Sequence, residues 1–341
     1  MKLNKTIANF IAIITLTLSH SSFADSNTFS FALIGDTPYN VSPLEHSVIF
    51  SNLLTSINAQ QLAWVLHAGD IKSGSTPCTD QVFYDRLQRF NRFKHPFILT
   101  FGDNEWTDCH RSKAGAYQPL ERLERLREVF FTKQGHALWR AMDINSQSNG
   151  PEFKDFPENL MWQKNKVVFA SLHIVGSNNA LKPFDPAGGV TRSPTDDQEV
   201  KRRTQAAIAW LNRAFNQAKV MNSPGIFLMI HANPYLEPES KQKINTQGTI
   251  ERPGFTDFLA VLAKRTLLFR KPVVLVHGDS HHFRIDKPTL PIGPHKADRL
   301  LANFTRVETF GPFSTKWIKV TVKPNSKKVF HFKKQPRKRK K

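Results

Sequence analysis

Short runs of consecutive apolar residues alternate with longer stretches of helical periodicity along most of the chain. Phe29–Ile34 (FSFALI), Leu62–Leu66 (LAWVL), Pro96–Phe101 (PFILTF), Val167–Val175 (VVFASLHIV), Ile226–Ile230 (IFLMI) and Val273–Val276 lack the polar alternation of a half-exposed strand. Such runs suit strands buried on both faces. Between them, residues 45–57, 82–93, 120–131, 196–220 and 255–269 space their apolar positions as amphipathic helices do. The alternation predicts an α/β fold with a parallel sheet covered by helices on both sides. Strand-like segments near 306–310, 317–322 and 329–332 close the chain, with Pro324-Asn325 as a turn between the last two. The stretch 182–195, rich in Pro and Gly, reads as a loop. No repeat or linker interrupts the pattern, which predicts one domain over residues 25–332 and a basic tail over 333–341.

The N-terminus reads as an address. Lys2 and Lys5 precede an apolar run, Phe10–Leu18, that is too short to span a bilayer comfortably, and Ser22-Phe23-Ala24 offers a cleavage site. Residues 1–24 are therefore expected to be a cleaved signal peptide, giving a secreted or periplasmic protein that begins near Asp25. In an oxidising compartment Cys78 and Cys109, the two cysteines of the chain, are expected to form a disulfide. Two cysteines exclude a disulfide-dense scaffold and a multi-cysteine zinc module. With 40% hydrophobic and 22% charged residues, the composition is that of a globular protein.

Chemistry gathers where the apolar runs stop. Asp36, Asp70, Asp103, His231, Asp279 and His281 each follow such a run. The carboxyl ends of strands form the ligand-binding edge of an α/β sheet, so these residues are expected to converge. Four carboxylates repel one another and raise each other's pKa unless something neutralises them. Two divalent cations would do so.

The ordered set resembles the calcineurin-like metallophosphoesterase superfamily, which includes the purple acid phosphatases. Its members carry D-x-H, G-D, G-N-H-[DE], a lone His and G-H-x-H, each after a strand. The corresponding strings are GDTP at 35–38, GD at 69–70, GDNE at 102–105, His231 in MIHANP, and GDSH at 278–281. The resemblance spans residues 28–285. It implies a four-layer αββα sandwich with two mixed sheets, and a dinuclear metal site that hydrolyses phosphate esters with a metal-activated hydroxide. Carried over by position, one metal would take Asp36, Asp70 and His281. The other would take Asp70 as the bridge, with Asp103, His231 and Asp279.

Four positions depart from the family pattern. Pro38 replaces the His of D-x-H, Asp103 a ligand Asn, Asn104 the substrate-contacting His, and Asp279 the first His of G-H-x-H. Oxygen ligands in place of nitrogen favour Mn, Fe or Mg, with zinc a further candidate. Asn104 can donate a hydrogen bond to a phosphate oxygen but cannot shuttle a proton. His277 is the catalytic imidazole candidate; His67, His110 and His282 also adjoin motifs. Lys72, Arg111 and Lys113 lie in the loops that follow and could contact phosphate.

The expected function is a secreted or periplasmic metal-dependent phosphoesterase. A catalytically weakened relative that binds phosphorylated or polyanionic ligands is one alternative, motivated by the four departures. A nuclease or nucleic-acid-binding protein is another, motivated by a formal charge of +20. No helix-turn-helix, zinc-finger or RNP-like motif supports specific nucleic-acid recognition. Residues 323–341 hold ten Lys or Arg and no acid, so half of the net charge belongs to a short C-terminal segment outside every motif. That segment is expected to contact anionic surfaces.

Overall fold

All six apolar runs form strands, most of them shorter than the run. A computed structural model describes residues 27–39, 43–131, 138, 142–236, 254–292 and 298–336. The signal-peptide reading of residues 1–24 and the last five residues of the basic tail lie outside these. The runs become β1 (Phe29–Ile34), β2 (Val65–His67), β3 (Phe97–Leu99), β6 (Val167–Ser171), β7 (Ile226–Met229) and β8 (Val273–His277). The helical stretches become α1 (Pro43–Asn58), α2 (Asp80–Phe90), α3 (Pro119–Phe131), α4 (Pro194–Val220) and α5 (Thr256–Phe269). Local chemistry sets several starts. Thr79 Oγ1 accepts from Val82 N ahead of α2, and α4 opens with a Ser193/Asp196 capping box and Pro194 in its first turn.

The strands divide between two sheets, and both are mixed. In the first, the order is β14-β13-β1-β2-β3, with β13 (Trp317–Val322) and β14 (Phe330–Gln335) formed by the C-terminal hairpin. β1, β2 and β3 are parallel, while β13 runs antiparallel to β1. In the second, the order is β4-β5-β6-β7-β8-β12-β9, where β4 is Asn145–Ser146, β5 Leu160–Lys164, β9 Arg284–Asp286 and β12 Phe304–Glu308. Here β6, β7, β8 and β12 are parallel. A two-stranded ribbon, β10 (Thr289–Leu290) with β11 (Arg299–Leu300), stands apart.

The two mixed sheets are those the family resemblance implies; hairpins add antiparallel strands to the parallel pairing that the apolar runs predict. β5 escapes the apolar pattern because its second half is exposed, and it joins β6 through Asn165 and Lys166, both at positive φ (51° and 65°). That is the backbone of a two-residue type I′ turn, which asparagine tolerates and lysine rarely adopts. The run Val167–Val175 leaves the ladder after Ser171, although Leu172, Ile174 and Val175 stay fully buried. β14 runs to Gln335, so the first three residues of the basic tail belong to the sheet.

The two sheets face each other across an aromatic layer. Phe31 of the first sheet packs on Phe169 and Phe227 of the second, with ring centroids 5.8 and 5.1 Å away, and Trp64 lies 5.1 Å from Phe169. Edge-to-face pairs of this kind add about 0.5–1.5 kcal/mol each beyond area burial. The same core continues under α1 and α2 through Phe50, Leu53, Phe83 and Phe90. A second core lies between the other sheet and α4 and α5, through Trp210, Leu211, Phe258 and Leu262. The result is the helix–sheet–sheet–helix sandwich. The parallel strands of both sheets deliver their carboxyl ends to one rim.

Cys78 and Cys109 are joined in a disulfide that ties the loop after β2 to the loop after β3 across 31 residues. Replacing both cysteines by serine is expected to lower the unfolding free energy by about 3–4 kcal/mol, from the chain entropy restored to the unfolded state. Urea denaturation of the double variant measures it.

Candidate metal centre

Three adjacent parallel strands bring the first three carboxylates together. Asp36 follows β1, Asp70 follows β2 and Asp103 follows β3. From the opposing sheet, His231 follows β7, and Asp279 and His281 follow β8. The chain must turn sharply to aim these side chains at one point. Asp36, Asp70, Asp279 and His281 all sit at positive φ, between 54° and 75°. Four non-glycine residues in the left-handed region within one cluster store strain that the surrounding structure must hold. Glycines allow the remaining approach. A Cβ on Gly69, itself at φ 85°, would lie 2.6 Å from His231 Nδ1, and one on Gly102 would lie 2.1 Å from Asp70 Oδ1.

Two ligand triads result, and they share Asp70. One ligand atom each from Asp36, Asp70 and His281 fall within 4.8 Å of one another, and so do atoms of Asp70, Asp103 and His231. Asp279 stands beside the second triad with its carboxylate turned to the Asn233 N–H at 2.8 Å. The donor set fits a divalent cation. His231 Nδ1 lies 2.8 Å from the Ala68 carbonyl, which fixes the proton on Nδ1. Its Nε2 then faces Asp70 Oδ1 and Asp103 Oδ1, each at 3.2 Å. A ring nitrogen between two buried carboxylates must carry either a proton or a cation.

The electrostatics point the same way. Burial, with Asp103, Glu105 and Asp36 nearby, pushes Asp70 well above the usual carboxylate range against the pull of His231. Burial and Asp103 raise Asp279 to about 6. Burial would lower His231, but Asp70, Asp103 and Asp279 hold it well above an ordinary histidine. Burial would likewise raise Asp103, yet its hydrogen bond to His231 and the Ser177 hydroxyl keep it below the usual range.

Several contacts at this cluster carry no signature in the sequence motifs. Tyr39 Oη donates to Asp70 Oδ2 at 2.6 Å and lies 3.4 Å from His281 Nε2. It stands three residues after Asp36, and that spacing from a strand-end acid was the available signal. Glu105, fully buried, accepts backbone N–H groups of Gly102, Asp70 and Ile71, so it laces the β2 and β3 loops together. Ser177 Oγ contacts Asp103 Oδ2 at 2.7 Å and Asp108 Oδ1 at 2.9 Å. Ser177 belongs to a left-handed turn, with φ 50°, 56°, 56° and 66° at residues 177–180. Only asparagine and glycine visit this region readily, so the turn needs support. Arg203, fully buried, supplies it by donating to Asn179 Oδ1 and O.

The catalytic candidates occupy different surroundings. Asn104 Nδ2 donates to Asp70 Oδ2 and to Tyr39 Oη, which places its amide on the shared carboxylate. His277 is fully buried, with Nδ1 2.8 Å from its neighbour Gly278 O and Nε2 4.0 Å from Glu308 Oε2. His67 is buried too, with Nε2 2.6 Å from Thr37 O. His282 N–H donates to Glu308 Oε1. Lys72 is buried, with its ammonium on Ser73 O at 3.1 Å.

No family model matches this chain, and no curated protein matches it in sequence. Solved structures of similar shape include GAP50, the anchor in the inner membrane complex of Plasmodium, at 9% identity and a TM-score of 0.48, covering 90% of this chain and 84% of that one. The protein TT1561 of Thermus thermophilus follows at 6% identity and a TM-score of 0.42, covering 90% of this chain and 98% of that one. Likeness this distant is silent on activity.

Burial holds His277 neutral, with its pKa pushed down to about 3. The unfolded chain takes up that proton below pH 6.5, so this residue makes stability fall as pH falls. In the His277→Gln variant the stability lost between pH 7 and pH 5 should be smaller by about 2 kcal/mol, the linkage value for one such histidine. Urea unfolding of both proteins at the two pH values measures the difference.

Proposed function

We propose that this chain is an exported, metal-dependent phosphoesterase that hydrolyses phosphate esters at a dinuclear site. The observation that carries the reading is the pair of ligand triads sharing Asp70. Asp36, Asp70 and His281 would hold one cation. Asp70, Asp103 and His231 would hold the other, with Asp279 beside them. Bound divalent cations supply charge neutralisation for phosphoryl oxygens and generate hydroxide near neutral pH.

The chain's own residues do the rest. His231 is held in one tautomer by Ala68 O, and Asp103 in one orientation by Ser177. Asn104 and Tyr39 place neutral hydrogen-bond donors on the shared carboxylate and hold it in one orientation. Burial, with Asp70 and Asp36 beside it, raises the Tyr39 phenol well above 10, so it keeps its proton at neutral pH. His277 turns toward Gly278 O and Glu308, whereas Tyr39 contacts the shared Asp70 directly. The oxygen-rich donor set suits Mn, Fe or Mg ahead of zinc. Export is supported by the disulfide and by the N-terminal sequence; among the described residues no helix is long and apolar enough to cross a membrane.

Metal analysis together with a phosphoester panel tests the assignment on wild type and Asp70→Asn. Wild type should contain up to two equivalents of divalent metal and turn over nitrophenyl phosphates. The variant, which loses the shared ligand, should drop at least 10³-fold in turnover, ~4 kcal/mol of transition-state stabilisation. Full activity in Asp70→Asn would refute the site. Absence of both metal and turnover in wild type would leave the polyanion-binding alternative.

The charged C-terminal hairpin supports contact with an anionic surface. No Asp or Glu follows Glu308. Lys316, Lys323, Lys327, Lys328, Lys333 and Lys334 are exposed, and Lys319 pairs directly with Lys333 across β13 and β14. Like charges opposed in a ladder cost stability, which an anionic partner relieves. Phe313, 68% exposed in the loop before β13, adds an aromatic group suited to a lipid interface. Vesicles containing phosphatidylglycerol should sediment the protein at low salt, and Lys327→Glu/Lys328→Glu should weaken this several-fold. Binding to RNA or DNA in preference to such vesicles would overturn the lipid reading.

A further inference from the structure

A pocket of about 120 Å³ opens beside the cluster, lined by Asp108, His110, Arg111, Ser177, Lys182 and Phe184 among others. It shares a wall with the candidate metal site, because the Ser177 hydroxyl touches both Asp103 and Asp108. Its size is far below the ~300–1,000 Å³ of sites that take drug-sized ligands, so it accepts one functional group.

The polar groups of the pocket divide into occupied acceptors and available donors. Asp108 is engaged by Ser177, by Thr107 Oγ1 at 3.3 Å and by Arg111 Nη2 at 2.7 Å. Asp185 uses one carboxylate oxygen to cap the Ala187 N–H at 3.0 Å. The donors are less committed. Asp108 uses one end of the Arg111 fork, and the guanidinium has further N–H groups to offer. Lys182 is exposed, and its ammonium has no partner among the described residues. His110 Nδ1 accepts from the Asp185 N–H at 2.9 Å, which puts the ring's own proton on Nε2 and makes it a donor. Phe184 stacks on His110 with centroids 4.5 Å apart and 14° between planes, which fixes the imidazole.

Arg111 also reaches toward the metal cluster. A Cβ on Gly74 would meet Asn104 Oδ1 at 2.7 Å and Arg111 Nη1 at 2.8 Å, so both side chains converge over that glycine. Asn104 in turn bonds the shared Asp70. The guanidinium therefore lies between the candidate reaction site and the pocket.

Resting on the phosphoesterase reading, we infer that this pocket receives a second anionic group, a phosphate or carboxylate, carried by the part of the substrate beyond the scissile ester. Arg111 and Lys182 pair with it, and His110 Nε2–H donates to it. The preferred substrates are then bis-anionic phosphoesters. Simple monoesters such as nitrophenyl phosphate leave the pocket without a charged occupant.

The test compares kcat/KM for a bisphosphate and for p-nitrophenyl phosphate in the metal-loaded full chain, with Lys182→Glu and Arg111→Gln beside wild type. Wild type should favour the bisphosphate, and each variant should reduce that preference at least 10-fold. The same charge change at Lys219, at the far end of α4, should leave the preference as in wild type. Equal loss on both substrates, or no wild-type preference, would overturn the pocket assignment. Calorimetric titration with methylenediphosphonate gives a readout independent of turnover. At least 10-fold weaker binding to Lys182→Glu is expected, and equal affinity would overturn the inference. Absence of turnover on every ester, with this binding difference intact, would instead sink the phosphoesterase reading and leave the anion pocket standing.

Discussion

Buried negative charge is the constraint around which this protein is organised. Asp36, Asp70, Asp103, Glu105 and Asp279 gather at the ends of strands, and the first four of them are nearly or fully inaccessible to water. Carboxylates in such a place either take up protons or keep positive company. Both responses are visible. Asp70 and Asp279 are pushed upward, while Asp103 is held ionised by His231 and Ser177. The arrangement is costly as a purely structural feature and economical as a cation site, which is why the shared Asp70 decides the functional reading.

The scaffold is shaped to hold that cluster against its own repulsion. Strain is concentrated at the rim, in four left-handed ligand candidates and in the left-handed turn at 177–180. Rigidity is concentrated beneath it. The aromatic layer between the sheets fixes the strands, Glu105 binds three backbone N–H groups of neighbouring loops, and the disulfide joins those loops covalently. Removing such supports would let Asp70 and Asp103 drift apart before any strand unravelled.

Much of this was legible in the chain because strand-end acids follow apolar runs in sequence order. The positions of Asp36, Asp70, Asp103, His231 and His281 needed only the rule that parallel strands share a carboxyl edge. Other parts were not legible, for physical reasons. β5 hides because its last two residues face water and its turn uses Asn165-Lys166 in place of a glycine. Ser177 and Tyr39 act through tertiary contacts spanning 74 and 31 positions; nothing local marks the serine, and the tyrosine is marked only by standing three residues after Asp36. His277 adjoins a motif yet turns its ring to a neighbouring carbonyl, a choice set by χ angles and not by spacing.

The two triads differ in their access to water, and under the proposed two-metal reading this has a kinetic consequence. Asp103 and His231 are sealed in the interior, whereas the His281 side chain is 40% exposed. A cation on the His281 side could exchange with solvent by the swing of one imidazole. A cation between Asp103 and His231 could leave only past its neighbour or through a local opening of the rim. The positions would then fill in a fixed order, the enclosed one first, and empty in reverse. Chelation would accordingly proceed in two phases, with the half-loaded protein as the long-lived species.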